Sequence, residues 1–298
     1  MEVALKFVAG QFHPVQMTFS RFLVGGLVLL PLAVRALRSR GCKLEGKSLG
    51  TFALLGFVGI AVAMSFYQFS VSRINASVVG VLFSSNPIFV TLLAWLLLRE
   101  SISRHQVAGL VLDIAGILVI VDPLHLRLDP VGVVCVLVAT LLFSVYSVCG
   151  KRQCARYGGI VVTCFGFLFG AAEMMLLAAL THVPALADGL TAAGLGGFAN
   201  IPFLQGYTLA SLPVVLYVFV GVTGIGFACY FRAMETATAQ RASLVFFFKP
   251  ALAPVLAWLL LQEEIPLNML VGIVFILGGS LVSLLPGLRR ARLQSPAQ

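Results

Sequence analysis

Two stretches of this chain are nearly identical and lie at the same distance from a proline. Residues 94–100 read AWLLLRE and residues 257–263 read AWLLLQE. Pro87 precedes the first and Pro250 the second; 250 − 87 = 163, which is also the offset from Trp95 to Trp258. Without a gap, that offset pairs Tyr67 with Tyr230, Ala76 with Ala239, Phe83 with Phe246, Asn86 with Lys249, Ile102 with Ile265, Gly109 with Gly272 and Gly116 with Gly279. A duplication of this length confines the fold to two equivalent units. Both copies lie in runs apolar enough for a bilayer.

Charged residues make up 10 % of the chain and hydrophobic residues 60 %, whereas a soluble domain carries about 25 % charged residues. That excludes an ordinary soluble enzyme. The net charge of +9 does not point to nucleic acid, because the basic residues sit in short loops between apolar runs, where they set topology. The six cysteines (Cys42, Cys135, Cys149, Cys154, Cys164, Cys229) show no metal-ligand spacing and read as packing residues. No metal and no cofactor are expected.

A helix crosses the hydrocarbon core with about 20 apolar residues. Nine complete spans are predicted, at 18–37, 50–71, 76–98, 106–122, 130–149, 160–180, 212–233, 242–261 and 268–286. Residues 1–10 are apolar but too short to cross, and read as the last turns of a first helix whose start is missing. The stretch 181–211 reads as a long loop with a surface helix. Lys and Arg collect on alternate sides: Arg35, Arg38, Arg40, Lys43 and Lys47, then Arg99 and Arg104, then Lys151, Arg152 and Arg156, and finally Arg289, Arg290 and Arg292. The positive-inside rule places those sites and the C-terminus in the cytoplasm of a multi-pass cell-membrane protein, with Arg73 and Arg127 as minor exceptions outside. Five spans begin between the two copies, and an odd number inverts the second. The expected fold is an all-α integral membrane protein, an inverted repeat of two five-helix bundles. The domains are 1–122 with a truncated first helix, 130–286, and a basic tail at 287–298.

The motifs SRFLVGGLVLLPL (20–32), ASVVGVLFSSNPIF (76–89) and LLLRESI (96–102), with SLVFFFKPALAPVLAWLLLQEEI (243–265) and GIVFILGG (272–279), resemble the EamA-type exporters of the drug/metabolite transporter superfamily. The resemblance covers nearly the whole chain. It implies ten helices and export of small metabolites, often amino acids or related compounds, commonly coupled to an ion gradient.

The site is expected where helices are interrupted at matching places in the two halves. Proline deletes a backbone hydrogen bond: Pro87 frees the carbonyl of Phe83, Pro250 that of Phe246, and Pro254 adds a second break. Asn86 and Lys249 sit mid-span at equivalent places. A mid-span charge costs roughly 2.5–3.5 kcal/mol on insertion scales, so Lys249 reads as a substrate contact against the alternative of snorkelling. Asn86 can bind substrate or join helices. Phe83 and Phe246 are placed on a cavity wall. Tyr67 and Tyr230 offer hydroxyls to it or belong to an aromatic belt. Glu173, inside FLFGAAEMMLLAAL, is the proton-coupling candidate; it could also pair with Lys249 or meet a substrate amine, with a structural ion pair or a shallow interfacial position as the alternative. Asp113 shares a helical face with Gly109 and Gly116; in the resemblance the fifth helix lies outside the cavity, so Asp113 reads as structural. Arg21 and Lys6 are expected to snorkel, Arg232 and Glu235 to pair locally, and Glu100 and Glu263 to anchor at the interface.

These residues predict a secondary active exporter of small, amphipathic metabolites, driven by a proton or other gradient and working by alternating access. Its partners would be the substrate and the lipid bilayer, not nucleic acid. The glycine faces at 106–122 and 268–286 permit a homodimer. The alternative is a structural or sensory membrane protein that keeps the transporter fold. An enzyme is not expected: His13, His105, His125 and His182 fall in loops or at span ends, and no HExxH or GxSxG motif occurs. An ATP-driven pump would need GxxxxGK[ST], which is absent from the sequence.

Overall fold

A computed structural model describes residues 1–122, 128–192 and 196–294. His125, Arg127 and residues 295–298 of the basic tail lie outside the described residues, as do the side chains beyond Ser283. The described residues form helices joined by loops, without strands, and eight helices are long and apolar enough to cross a membrane. In hydrocarbon every backbone N–H and C=O needs a partner inside the protein, and helices supply one locally.

The spans are α1 (Glu2–Val8), α2 (Pro14–Ser39), α3 (Gly46–Arg73), α4 (Ala76–Leu98) and α5 (Arg104–Val121), then α6 (Pro130–Tyr157), α7 (Gly159–Leu180), α8 (Leu212–Thr236), α9 (Ala239–Leu261) and α10 (Leu267–Gln294). Of these, α1 is short, and the apolar part of α10 covers Leu267–Ser283. A surface helix, Pro184–Ala192, lies in the long loop, as expected. Local chemistry sets the starts. His13 and Asp129 cap α2 and α6, Ser103 and Gln106 form a capping box on α5, and the Thr238 side chain caps α9. Arg73 donates to Asp129, and this bond holds the Asp129 carboxyl below the usual carboxylate range. Any stability it adds is present above that ordinary range and fades as pH falls through the lowered value.

The two halves deviate from ideal helix at the same places. α3 widens into a π-helical turn at Phe57–Val62, and α8 does so at Tyr217–Gly226; with the 163-residue offset the first segment maps inside the second. α4 stops at Phe83 and resumes at Asn86, with Pro87 in the first turn of the new segment. α9 passes through a 3-10 segment, Leu244–Phe248, and resumes at Lys249, with Pro250 in the first turn. Both then end on a left-handed residue, Arg99 (φ 56°) and Gln262 (φ 54°), which are symmetry mates. Pro254 departs from expectation: the helix runs through it. Its missing N–H would have bonded Pro250, in the first turn, where the chain is already loosened by the 3-10 segment.

The fifth helices of the two halves pack on each other along their glycines. A methyl group on Gly279 would lie 2.6 Å from the Gly109 carbonyl oxygen and 2.6 Å from Asp113 Oδ1; one on Gly272 would lie 2.6 Å from the Gly116 carbonyl oxygen. Gly109, Gly116, Gly272 and Gly279 are thus taken up within the chain, whereas Gly278 faces open space, and Asp113 is buried in this seam (1 % exposed). Overpacking of this kind costs about 1–3 kcal/mol, and about 2–4 °C accompanies each kcal/mol in a chain of this size class. Gly279→Val is therefore expected to lower the apparent melting temperature of the purified protein by roughly 5 °C. Gly278→Ala, where a methyl meets nothing within 4 Å, leaves it unchanged. Equal effects of the two would contradict the seam.

Candidate functional site

The interruptions of α4 and α9 bring their last turns face to face. The rings of Phe83 and Phe246 lie 5.7 Å apart, edge to face. Tyr67 from α3 packs on Phe83 at 5.0 Å, and its mate Tyr230 from α8 packs on Phe246 at 5.3 Å. Phe143 from α6 closes the ring, at 5.5 Å from Phe83, 5.8 Å from Phe246 and 6.0 Å from Tyr230. Four expected residues thus meet at the boundary of the two halves, around a phenylalanine that no sequence signal marked. Edge-to-face pairs at these separations are the favoured geometry of aromatic clusters.

The polar centre of this cluster is an ion pair. Lys249 Nζ donates to Glu2 Oε1 at 2.5 Å, and the Tyr67 hydroxyl donates to the same oxygen at 2.6 Å. The ammonium sits over Phe83 (4.4 Å to the centroid), Phe246 (5.4 Å) and Tyr67 (5.9 Å), so ring faces and a carboxylate replace its water. The side chains of Lys249 and Glu2 are 22 % and 5 % exposed. Lys249 therefore does not snorkel. The α-amino group of Met1 lies 3.4 Å from Glu2 Oε2.

Glu2 is the main residue that sequence reading passed over. It stands in the apolar run of α1, four residues before Lys6, and an isolated carboxylate in such a run was the available signal. Arg21 is a correction: it does not snorkel, being wholly buried. Its guanidinium lies over Phe22 at 4.7 Å, within electrostatic reach of Glu2 and Tyr67. Nη1 meets the Met1 sulfur at 4.0 Å, while Nε and Nη2 have no hydrogen-bond partner among the described residues. Arg21 stands in the second turn of α2, a helix that packs on α7 and α8, and its side chain is wholly enclosed there. Lys6 also turns inward, donating to the carbonyls of Val71 and Ile74 at 2.9 Å each.

The symmetry-related position between the halves carries a neutral version of the same arrangement. Asn86, mate of Lys249, donates to Ser144 Oγ at 2.8 Å, and its Oδ1 has no partner among the described residues. The Tyr230 hydroxyl lies against Ser147 but outside hydrogen-bond geometry. The equivalence extends to the first helices. Lys151 donates to the Ala237 carbonyl as Lys6 donates to that of Ile74; 237 − 74 = 163 and 151 − 6 = 145. An offset of 145 maps Glu2 onto Ser147. Of the two symmetry-related positions between the halves, one thus holds a charged pair and the other an amide and hydroxyls.

The remaining candidates fall elsewhere. Glu173 is half-buried on α7, with Oε2 lacking a partner among the described residues; the carboxylate that meets Lys249 is Glu2, not Glu173. Arg232 and Glu235 pair as expected, and Glu235 also takes Arg40 and the Gly159 amide. Glu100 and Glu263 do more than anchor: each accepts a backbone amide from the opposite half, Glu100 from Ala239 at 3.3 Å and Glu263 from Ala76 at 2.8 Å. Among the described residues no group of His, Cys, Asp and Glu is arranged to hold a metal ion.

Residues 2–122 and 130–285 both match the EamA-like transporter family. The chain is 33 % identical to an uncharacterized transporter of Clostridium kluyveri, over 95 % of this chain and 88 % of that one. It is 28 % identical to a probable terminal-alkyne amino-acid exporter of Streptantibioticus cattleyicolor, over 86 % and 79 % of the two chains. A solved crystal structure superposes with a TM-score of 0.65 over 96 % of this chain and 95 % of its own, at 20 % identity, which is a likeness of fold. With both halves matched and eight membrane-length helices in place, this chain is a multi-pass membrane protein of the EamA-like transporter family.

Proposed function

We propose that the protein exports small amphipathic metabolites, with zwitterionic amino acids bearing apolar side chains as the best-fitting class. The observation that carries this reading is the Lys249–Glu2 pair, enclosed by Phe83, Phe246 and Tyr67 where the two inverted halves meet. With Arg21, the site holds two cationic side chains and one carboxylate. A substrate carboxylate balances that excess on Lys249 and the free edge of Arg21, while its ammonium takes the Glu2 carboxylate or Asn86 Oδ1. The rings of Phe83, Phe143, Phe246 and Tyr230 then face the apolar side chain. The amino-acid exporter among the relatives supports the class.

Coupling is assigned to Glu173, half-buried on α7 with Oε2 lacking a hydrogen-bond partner among the described residues, so that its carboxyl is open to a proton. Glu2 is held as a carboxylate by Lys249, the Met1 ammonium and the Tyr67 hydroxyl. The face holding Arg35, Arg38, Lys151 and Arg152 is assigned to the cytoplasm of the cell membrane, together with the C-terminus, by the positive-inside rule.

Lys249→Ala is expected to slow accumulation of the substrate in the medium about tenfold or more, as loss of a charge-assisted contact worth at least about 1.4 kcal/mol requires. Metabolite profiling of medium from cells expressing the protein, the variant or neither reads this directly; equal profiles from all three would contradict the proposal. Export should also depend on external pH, and Glu173→Gln should flatten that dependence; unchanged pH dependence in that variant would remove Glu173 from the mechanism.

The pair should also be energetically coupled. Removing one partner of a buried ion pair costs about 3–5 kcal/mol because the other charge is stranded, whereas replacing both can be close to neutral. Lys249→Met and Glu2→Gln are each expected to lower the apparent melting temperature by on the order of 10 °C. The double variant should recover most of that loss. Additive losses would show that the two side chains do not share one interaction.

A further inference from the structure

We propose that Glu100 and Glu263 are the two gate residues of this transporter, each latching one face shut by capping a helix of the opposite half. The proposal rests on the transporter reading but on none of its substrate contacts. Glu263, at the end of α9, accepts from the Ala76 amide (2.8 Å), the Ser77 amide (3.0 Å) and the Ser77 hydroxyl (2.6 Å), all at the start of α4. Glu100, at the end of α4, accepts from the Ala239 amide at the start of α9 (3.3 Å) and pairs with Lys151 at 2.9 Å. Ala76 and Ala239 are symmetry mates, as are Glu100 and Glu263. The two contacts lie at opposite ends of the same pair of broken helices, one on the basic face and one on the other.

A carboxylate is suited to this task. The first turn of a helix leaves amides without partners, and at the membrane boundary an acceptor from the same half would hold its helix permanently. An acceptor from the other half satisfies them only while the halves are together on that face. Each latch also carries a lysine: Lys151 beside Glu100, and Lys6 within electrostatic reach of Glu263. Both lysines also hold the carbonyl end of the preceding helix, at Ala237 and Ile74. In this structure both latches are closed. The latches are unequal. Glu263 holds three donors, while Glu100 holds one amide and its Lys151, with Oε2 lacking a hydrogen-bond partner among the described residues. The basic face is therefore the one that opens more readily at rest.

Backbone hydrogen exchange of the whole protein in lipid nanodiscs, without substrate, tests this. In Glu263→Gln, amides of residues 74–83 are expected to exchange faster, on the order of tenfold, while amides of 236–243 on the basic face become more protected. Glu100→Gln should reverse both changes. Ser77→Ala, which removes one donor without altering charge, should shift the same amides as Glu263→Gln by less, and serves if either glutamine variant fails to fold. The opposed change across the membrane separates a gate from a plain cap. Faster exchange confined to the substituted end, in all variants, would overturn the proposal. Opposed changes in a protein that exports nothing would leave the latches standing and overturn the transport reading; export without opposed changes would do the converse.

Discussion

A lysine halfway through a membrane has to be neutralised by the protein itself. Lys249 is neutralised by Glu2 and by the faces of three rings, and much of the surrounding structure follows from that requirement. The ring of aromatic side chains excludes lipid from the charge. The α1 helix is held against α4 and α9, so that its carboxylate arrives at the right depth. The Tyr67 hydroxyl fixes the carboxylate from a third helix. A pair so enclosed is weak evidence for stability, since desolvation offsets much of its attraction, and this is why a functional use accounts for it better than a structural one.

Broken backbone at the same depth is the second constraint, and the two solve each other. α4 and α9 are interrupted next to Asn86 and Lys249, and interrupted helices are tolerated only where protein or a polar cavity covers them. The α4 interruption is buried, with Ser84, Ser85 and Asn86 enclosed, while the α9 interruption meets the first half through Phe246 against Phe83. The π-helical turns of α3 and α8 lie on either side of this centre and present Tyr67 and Tyr230 to it from the helical segments that follow. Irregular turns that recur at equivalent places in an inverted repeat are positions at which the halves can change shape together.

Much of this arrangement was legible in the sequence because membrane helices announce themselves by length and apolarity. The nine complete spans correspond to observed helices, and prolines at matched positions marked the interruptions. The 163-residue offset alone pairs Phe83 with Phe246 and Tyr67 with Tyr230. Three things were not legible. Glu2 lay in a run too short to count as a span, and its meaning depends on Lys249, 247 residues away. Arg21 looked like an end-of-span residue, because depth along a helix does not say which neighbours cover it. Phe143 is one of 23 phenylalanines, and only packing distinguishes it. Pro254 shows the opposite limit, a residue with a strong local rule that the context relieves.

The most direct test of the account is calorimetric titration of the purified protein in nanodiscs with an apolar L-amino acid, its amine-free analogue and its carboxyl-free analogue. The account predicts binding of the zwitterion, at least tenfold weaker binding of either analogue, and loss of zwitterion binding in Lys249→Met. Equal affinity for all three ligands, unchanged by that substitution, would contradict the assignment of the Lys249–Glu2 centre as the transport site.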